Sequence, residues 1–186
     1  MLIPRPETEA LVDLAKQYCT KDDVVLDLCS GSGCVGIAVA REIGCRVIAV
    51  EKSSEALVYL RENVKLNNVE DLVEIIQADI LEEQLSIVNC QLSTILINPP
   101  YLSSAEMQLL QREVRHEPEM ALFGGVKEAG LCPDPRRPLL RPESANGLEF
   151  FHKFCEVWKE QIRDAKLFAY ELGGGKIDYV IKNIGG

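Results

Sequence analysis

Val24-Val25-Leu26-Asp27-Leu28-Cys29-Ser30-Gly31-Ser32-Gly33-Cys34-Val35-Gly36 decides the fold. Val24–Leu28 is a short apolar run of strand length, broken only by Asp27. The glycines after it let the backbone turn sharply and approach a ligand. Apolar periodicity then resumes over Cys34–Ile43 and predicts a helix, whose first amides have no partner within it. Strand, glycine loop and helix form the opening unit of a parallel α/β sheet. Gly31, Gly33 and Gly36 also spell G-x-G-x-x-G, so the loop by itself is compatible with a dinucleotide, another nucleoside, or a tight turn with no ligand.

Strand and helix patterns alternate on either side of this unit. Residues 6–18 predict a helix, with Pro6, Glu7 and Glu9 in the first turn, where proline fits and acids suit the dipole. Strands are expected at Arg46–Val50, Leu72–Gln77, Thr94–Asn98 and Lys166–Leu172, a helix at Ser54–Leu66, and the start of another helix at 175–183. The fold expected is one α/β domain over 1–186, a doubly wound, mostly parallel sheet. Residues 131–145 carry four prolines and no usable periodicity, and read as a mobile surface insertion loop.

The chain has 186 residues, enough for one domain with a sizeable core. Twenty basic against twenty-nine acidic residues give a net charge of −9, which lacks the footprint of a general nucleic-acid binder. Seven scattered cysteines without a C-x-x-C pair argue against a disulfide framework or a zinc site, and no metal is expected. No apolar stretch is long enough to span a membrane, and the first residues are not a targeting peptide, so a cytoplasmic location is expected.

Three acids or loops stand where open α/β sheets bind ligands, at the carboxyl ends of strands. The first is the loop Asp27, Cys29, Ser30, Gly31, Ser32, Gly33. Glu51 ends the second strand, placed to accept bonds from both hydroxyls of a ribose. Asp79 follows the third, placed either to receive the exocyclic amine of adenine, with Ile80 against the ring, or to cap a helix at 81–88. At the end of the fourth stands Asn98-Pro99-Pro100-Tyr101. Two prolines cannot extend a ladder or start ordinary helix, so the backbone leaves the sheet stiffly. An Asn amide and a proline carbonyl can grip both hydrogens of a planar NH2 group, and Tyr101 offers a ring to stack on it. Nucleoside contacts at three strand ends plus this motif point to S-adenosylmethionine more than to a nicotinamide dinucleotide.

Pro4-Arg5-Pro6-Glu7-Thr8-Glu9, Asp27-x-Cys29-x-Gly31-x-Gly33, Asn98-Pro99-Pro100-Tyr101 and Glu117-Pro118-x-x-Ala121-Leu122-x-Gly124-Gly125 together resemble the HemK/PrmC methyltransferases. The resemblance covers residues 2–130 and resumes from Asn146-Gly147-Leu148 to about Ile184. It implies a class I S-adenosylmethionine-dependent, Rossmann-like fold. It also implies methyl transfer to the glutamine side-chain nitrogen in the Gly-Gly-Gln motif of peptide chain release factors. Cofactor would lie at 29–33, Glu51, Asp79, Ile80 and Asn98, and the target glutamine at 98–101. The resemblance further implies that the Asn98 side-chain carbonyl and the Pro99 carbonyl accept the two N–H bonds of that amide. His116 and His152 lack triad-like spacing and read as surface or packing residues.

Asn-Pro-Pro-Tyr is shared with adenine-N6 DNA methyltransferases, so nucleic-acid methylation is the alternative enzyme reading. A truncated, inactive cofactor-binding domain is the alternative outside catalysis, and a dehydrogenase leaves Asn-Pro-Pro-Tyr without a role. Cys29 stands where the family's loop has its first glycine, and Glu51 replaces the more usual Asp. The family's N-terminal helical domain and C-terminal antiparallel hairpin are expected to be missing, the chain cut short at both ends. With a lost N-terminus, a mitochondrial or plastid location becomes the alternative. The partner expected is a release factor, with no membrane or direct nucleic-acid partner, and the chain is expected to be a monomer.

Overall fold

Alternating strand and helix patterns resolve into a six-stranded sheet of order β3-β2-β1-β4-β5-β6 in the computed structural model. The structure describes residues 5–82, 92–100, 102, 118–124, 149–172 and 176–181. A 3-10 turn, Pro6–Thr8, leads into α1 (Glu9–Tyr18). There follow β1 (Val24–Leu28), α2 (Cys34–Ile43), β2 (Arg46–Glu51), α3 (Ser54–Leu66) and β3 (Val73–Gln77). Beyond them lie β4 (Thr94–Ile97), α4 (Glu119–Leu122), α5 (Glu149–Val157), α6 (Lys159–Asp164), β5 (Leu167–Leu172) and β6 (Lys176–Ile181). The expected helix over 6–18 thus opens with a 3-10 turn, and the insertion at 131–145 lies outside the described residues.

Strands β3, β2, β1, β4 and β5 are parallel, with Leu26 opposite Ile48 on one side and Ile95 on the other. Side chains alternate between the faces of each strand, so the two faces have separate cores. One packs Val25, Val47 and Leu96 against Leu11, Val39 and Leu60 of the first three helices. The other packs Leu26, Ile48 and Ile95 against Phe151, Phe154 and Trp158. Phe154 lies between Trp158 and Phe168, with ring centroids 5.9 and 6.0 Å away. The Trp158 indole N–H is not stranded in this apolar layer, because it donates to the Ile80 carbonyl at 2.8 Å. Chain order reverses between β1 and β4, and a doubly wound sheet opens its binding crevice at such a reversal.

The carboxyl-terminal segment corrects the expectation of a helix at 175–183. Lys176–Ile181 is a strand, antiparallel to β5 from Leu167↔Ile181 to Leu172↔Lys176. β6 is thus a single further strand that makes its hairpin with β5 itself, in a six-stranded sheet, where two further strands beyond the fifth were expected to be missing. The β-branched and aromatic residues Ile177, Tyr179, Val180 and Ile181 favour a pleated surface, and the free edge of β5 supplies the ladder that settles the choice.

A polar fastening closes the amino end of the sheet. Lys166, just before β5, reaches the Asp23 carboxylate just before β1 at 2.5 Å. Thr20 donates to the same carboxylate through its amide at 2.7 Å and its hydroxyl at 2.9 Å. Ser93, just before β4, donates its amide to Val24 and accepts the Lys166 amide, so three parallel strands start in register. Burial opposes the Asp23 charge, but the bonds from Lys166, Ser93 and Thr20 outweigh it and hold the carboxyl well below the usual carboxylate range.

At the other end, the loop after β1 adopts left-handed backbone at Cys29 (φ 58°), Gly31 (57°) and Gly33 (82°). Cys29 thus takes the conformation a glycine accepts freely, at a cost of about 1–2 kcal/mol for an L side chain. Gly33 has no alternative, since a Cβ there would lie 2.3 Å from Leu60 Cδ1 as well as at positive φ.

Two outcomes follow from these arrangements. Asp23→Asn should lower the unfolding free energy at pH 7 by about 2 kcal/mol. Because the folded pKa is depressed, that contribution exists above the unfolded value of 3.8 and fades as the pH falls below it. Urea titrations of both proteins should therefore converge in acid. In the loop, Cys29→Val should cost about 2 kcal/mol, since a branched Cβ fits left-handed backbone worst, while Cys29→Gly stays within about 1 kcal/mol of the parent. Thermal unfolding of the two variants checks the ranking.

Candidate active site

The carboxyl ends of β1, β2 and β4, with the turn after β3, surround one cleft. Of the residues singled out from sequence, it brings together Asp27, Cys29, Ser30, Gly31, Ser32, Glu51, Asp79, Ile80, Asn98 and Pro100. Gly33 is not on its wall but wedged beneath it against Leu60 and Ile37. Pro99 is buried outside the lining, and Tyr101 lies outside the described residues.

Asp27 sits at the junction of β1 and α2, with Oδ2 accepting the Gly36 amide at 3.0 Å. A Cβ on Gly36 would come within 2.7 Å of that oxygen, so helix and carboxylate meet only because the residue is glycine. The bond bears on the G-x-G-x-x-G spacing by weighing against a pyrophosphate at this turn. The helix amide that could face a pyrophosphate is already answered by a carboxylate, which would repel one. Burial, aided by the charge of Glu51, raises the Asp27 carboxyl to about 7 against the bonds from Gly36 and Ser30.

Glu51 bridges two backbone turns. Its Oε2 accepts the Gly31 amide at 2.8 Å, and its Oε1 accepts the Ser53 amide at 2.7 Å. Each oxygen keeps a further lone pair, so the carboxylate can both hold the loop and accept hydroxyls. From below, the Asn63 side chain donates to the Ser32 carbonyl at 2.9 Å. Ser30 donates its hydroxyl to the Asp27 carbonyl at 2.7 Å. The loop is thereby fixed from three sides.

Asp79 is bonded through both carboxylate oxygens. Oδ1 accepts the Leu81 amide at 2.9 Å, in the manner of a cap, and Oδ2 meets Lys52 Nζ at 2.7 Å across the rim. Burial disfavours its charge, but Lys52 and the Leu81 amide outweigh that and hold the carboxyl below its ordinary value. Cys29 is a poor nucleophile here, because burial and the carboxylates of Glu51, Asp27 and Asp79 push its thiol well up.

Asn98 leaves β4 half-buried. Its Nδ2 donates to the Thr8 hydroxyl at 3.3 Å, and its Oδ1 is buried with no hydrogen-bond partner among the described residues. Leu102 donates its amide to Leu122 at 2.7 Å and accepts the Gly124 amide at 2.9 Å. Gly124 in turn accepts the Phe150 amide at 3.2 Å. These bonds bring Pro118, Ala121 and Phe150 to the cleft, uniting the segment after Asn98 with the distant Pro118–Gly124 motif.

Sequence reasoning passed over Thr8, Lys52 and Phe150 as site residues. Thr8 lay inside a quoted motif, where a hydroxyl residue at a helix start reads as a cap. Phe150 follows the irregular segment and carried no signal.

Residues 9–137 match the TRM5/TYW2 methyltransferase domain. Release factor glutamine methyltransferase of Thermodesulfovibrio yellowstonii is 30% identical over 182 residues, which cover 95% of this chain and 57% of that protein. The protein of the same name from Gloeobacter violaceus is 40% identical over 129 residues, covering 67% of this chain and 44% of its own length. The chain thus spans about half the length of the relatives it matches, and their names agree with the resemblance carried by its motifs. Among solved structures, the hMettl16 catalytic domain in complex with MAT2A 3′UTR hairpin 1 superposes with a TM-score of 0.63 at 19% identity, over 92% of this chain and 58% of that one. Human methyltransferase 10 domain containing protein gives 0.56 at 14% identity, over 91% and 65%. Both show the fold alone, a mostly parallel sheet flanked by helices as found here. With the family match running over more than half of its length, the chain belongs to the TRM5/TYW2 methyltransferase domain family.

Proposed function

We propose that this chain is an S-adenosylmethionine-dependent methyltransferase acting on the side-chain amide nitrogen of the Gly-Gly-Gln glutamine in peptide chain release factors. Asn98 carries the assignment: it lines the cleft, and its Oδ1 has no hydrogen-bond partner among the described residues, so it is an acceptor left for an N–H donor. Names of relatives supply the protein substrate.

The residues present suit the cofactor. Its charged groups are a cationic sulfonium and an amino-acid end, and the cleft offers Asp27, Glu51 and Asp79 rather than phosphate-binding amides. At Gly31 a Cβ would meet nothing nearer than the Cys29 carbonyl at 4.0 Å, leaving room for a ligand to lie against the backbone. In the proposed arrangement Glu51 accepts the ribose hydroxyls through its remaining lone pairs. Asp79, with one oxygen shared with Lys52, accepts the adenine amine, and Ile80 packs on the ring.

When bound, S-adenosylmethionine supplies an electrophilic methyl group on sulfur. An amide nitrogen is a weak nucleophile because its lone pair is delocalised. Asn98 Oδ1 accepts one of its N–H bonds and the Pro99 carbonyl the other. The two acceptors orient the lone pair and favour the positive charge that develops on nitrogen. On taking up the methyl group, released from its bond to sulfur, that nitrogen would lose one proton to water. Ser, Cys and His nucleophiles have no part in this chemistry.

Radiolabelled methyl transfer to a release factor, with a Gly-Gly-Glu variant as control, tests the function. Label in both or neither, or label entering an adenine-containing oligonucleotide instead, overturns it. Asn98→Ala should lower kcat by about 100-fold while cofactor still binds. Asp27 adds a pH signature. Its raised pKa means that the folded protein holds an extra proton between the unfolded value of 3.8 and about 7, so its contribution to stability is full below that window and is lost as the pH rises through about 7. Affinity for the cationic cofactor should move the opposite way, weakening severalfold from pH 8 to 6, and Asp27→Asn should flatten that profile in calorimetric titration.

A further inference from the structure

Resting on the placement of adenine at Asp79 in that cleft, we propose that Trp158 is a positioning residue: its indole N–H sets the Asp79 carboxylate for the base through one rigid peptide group. The Ile80–Leu81 peptide lies between the two side chains. Its carbonyl accepts the Trp158 Nε1–H at 2.8 Å, and its amide, the Leu81 N–H, donates to Asp79 Oδ1 at 2.9 Å. A trans peptide is planar, with C=O and N–H pointing opposite ways, so fixing one side fixes the direction of the other.

Each link in this chain runs one way. The indole nitrogen and the backbone amide only donate, and the carbonyl and the ionised carboxylate only accept. Turning the peptide over would set its carbonyl against the carboxylate and strand the buried indole N–H. The turn is otherwise held at its ends, where the Ala78 amide donates to Glu51 at 3.2 Å and the Glu82 amide to Asp79 at 3.1 Å. Neither bond touches the middle peptide, and among the described residues only the indole reaches the Ile80 carbonyl. Lys52 meets the other carboxylate oxygen from the rim, but its long side chain is 59% exposed and sets no direction. The indole, by contrast, has a firm seat. Trp158 is 2% exposed and stacks on Phe154. Its own amide donates to Phe154 and its carbonyl accepts the Ile162 amide, both at 2.9 Å. Asp79 and Ile80 line the cleft, while Trp158 lies in the apolar layer behind it. The acceptor offered to the base is therefore aimed from the core, by a residue 78 positions beyond the carbonyl it holds.

Trp158→Phe keeps a ring beside Phe154 and removes the donor. Because the chain has a single tryptophan, cell-free synthesis with 3-benzothienylalanine in its place keeps the shape as well, with sulfur where the N–H stood. In calorimetric titrations of the full chain, the parent should bind S-adenosylhomocysteine about tenfold or more tightly than S-inosylhomocysteine, whose base lacks the amine. Both altered proteins should lose about fivefold in affinity for the adenine compound and little for the other, so the preference shrinks. In an Asp79→Ala background the benzothienyl replacement should cost nothing further, since the group it positions is gone. A role in packing alone would lower the thermal midpoint and leave the preference at its parental value. Parental preference in the benzothienyl protein overturns the proposal, as does a loss shared equally by the two compounds. A readout without ligand separates it from the functional assignment. In 15N-labelled protein the Leu81 amide signal should move and exchange faster once the donor is gone. If it stays unchanged, the positioning role fails while the adenine placement stands. A parent that does not distinguish the two bases sinks that placement and the proposal with it, whereas one that binds adenine but never methylates a release factor sinks the substrate assignment alone.

Discussion

The bond between the Asp27 carboxylate and the Gly36 amide is the constraint on which the rest of the cleft depends. It joins the end of β1 to the first turn of α2, and Gly36 permits it by having no Cβ to obstruct. With that distance set, the loop between them must reverse within a few residues, which demands left-handed backbone at 29, 31 and 33. The same bond consumes a helix-terminal amide and places a buried carboxyl behind the cleft wall. Fold geometry and ligand preference thus have one origin. A helix N-terminus that elsewhere attracts phosphate is converted into the back of an acidic site.

Glu51 extends that logic from β1 to β2. By taking amides from both Gly31 and Ser53, it makes the glycine loop and the start of α3 move as one body. Asn63 returns from the far end of α3 to the Ser32 carbonyl and closes the ring of contacts. A glycine-rich loop pays conformational entropy to become ordered. Here the loop is ordered before a ligand arrives, which lowers the entropic cost of binding at the moment of association.

Much of this was legible from the chain. Val24–Leu28, Cys34–Ile43 and Ser54–Leu66 were read with the bounds the structure gives, because apolar period and glycine or serine punctuation agree there. Asp27, Glu51, Asp79 and Asn98 were found because strand-end position is a local property. What escaped was tertiary. Gly33 was assigned to the ligand, yet the side chain it avoids, Leu60, lies on a helix not implied by the loop. Lys176–Ile181 was read as helical because its pairing partner, the edge of β5, is not written in its own residues. Thr8 was passed over because only the folded chain sets it against Asn98.

That last pair shows how the fold carries an unfavourable group to useful effect. A buried carbonyl oxygen without a donor costs about 1–3 kcal/mol in the free protein. Asn98 Oδ1 is such an oxygen, with no donor among the described residues. Left free to rotate, the side chain would turn toward water. It is kept in place by the stiff Pro99-Pro100 exit from β4 and by the Thr8 hydroxyl on its other end. The cost is therefore met by the sheet and by α1, and in the proposed function it would be recovered when a planar NH2 group donates to Oδ1. An acceptor that water could satisfy would give an incoming amide little, because one hydrogen bond would replace another.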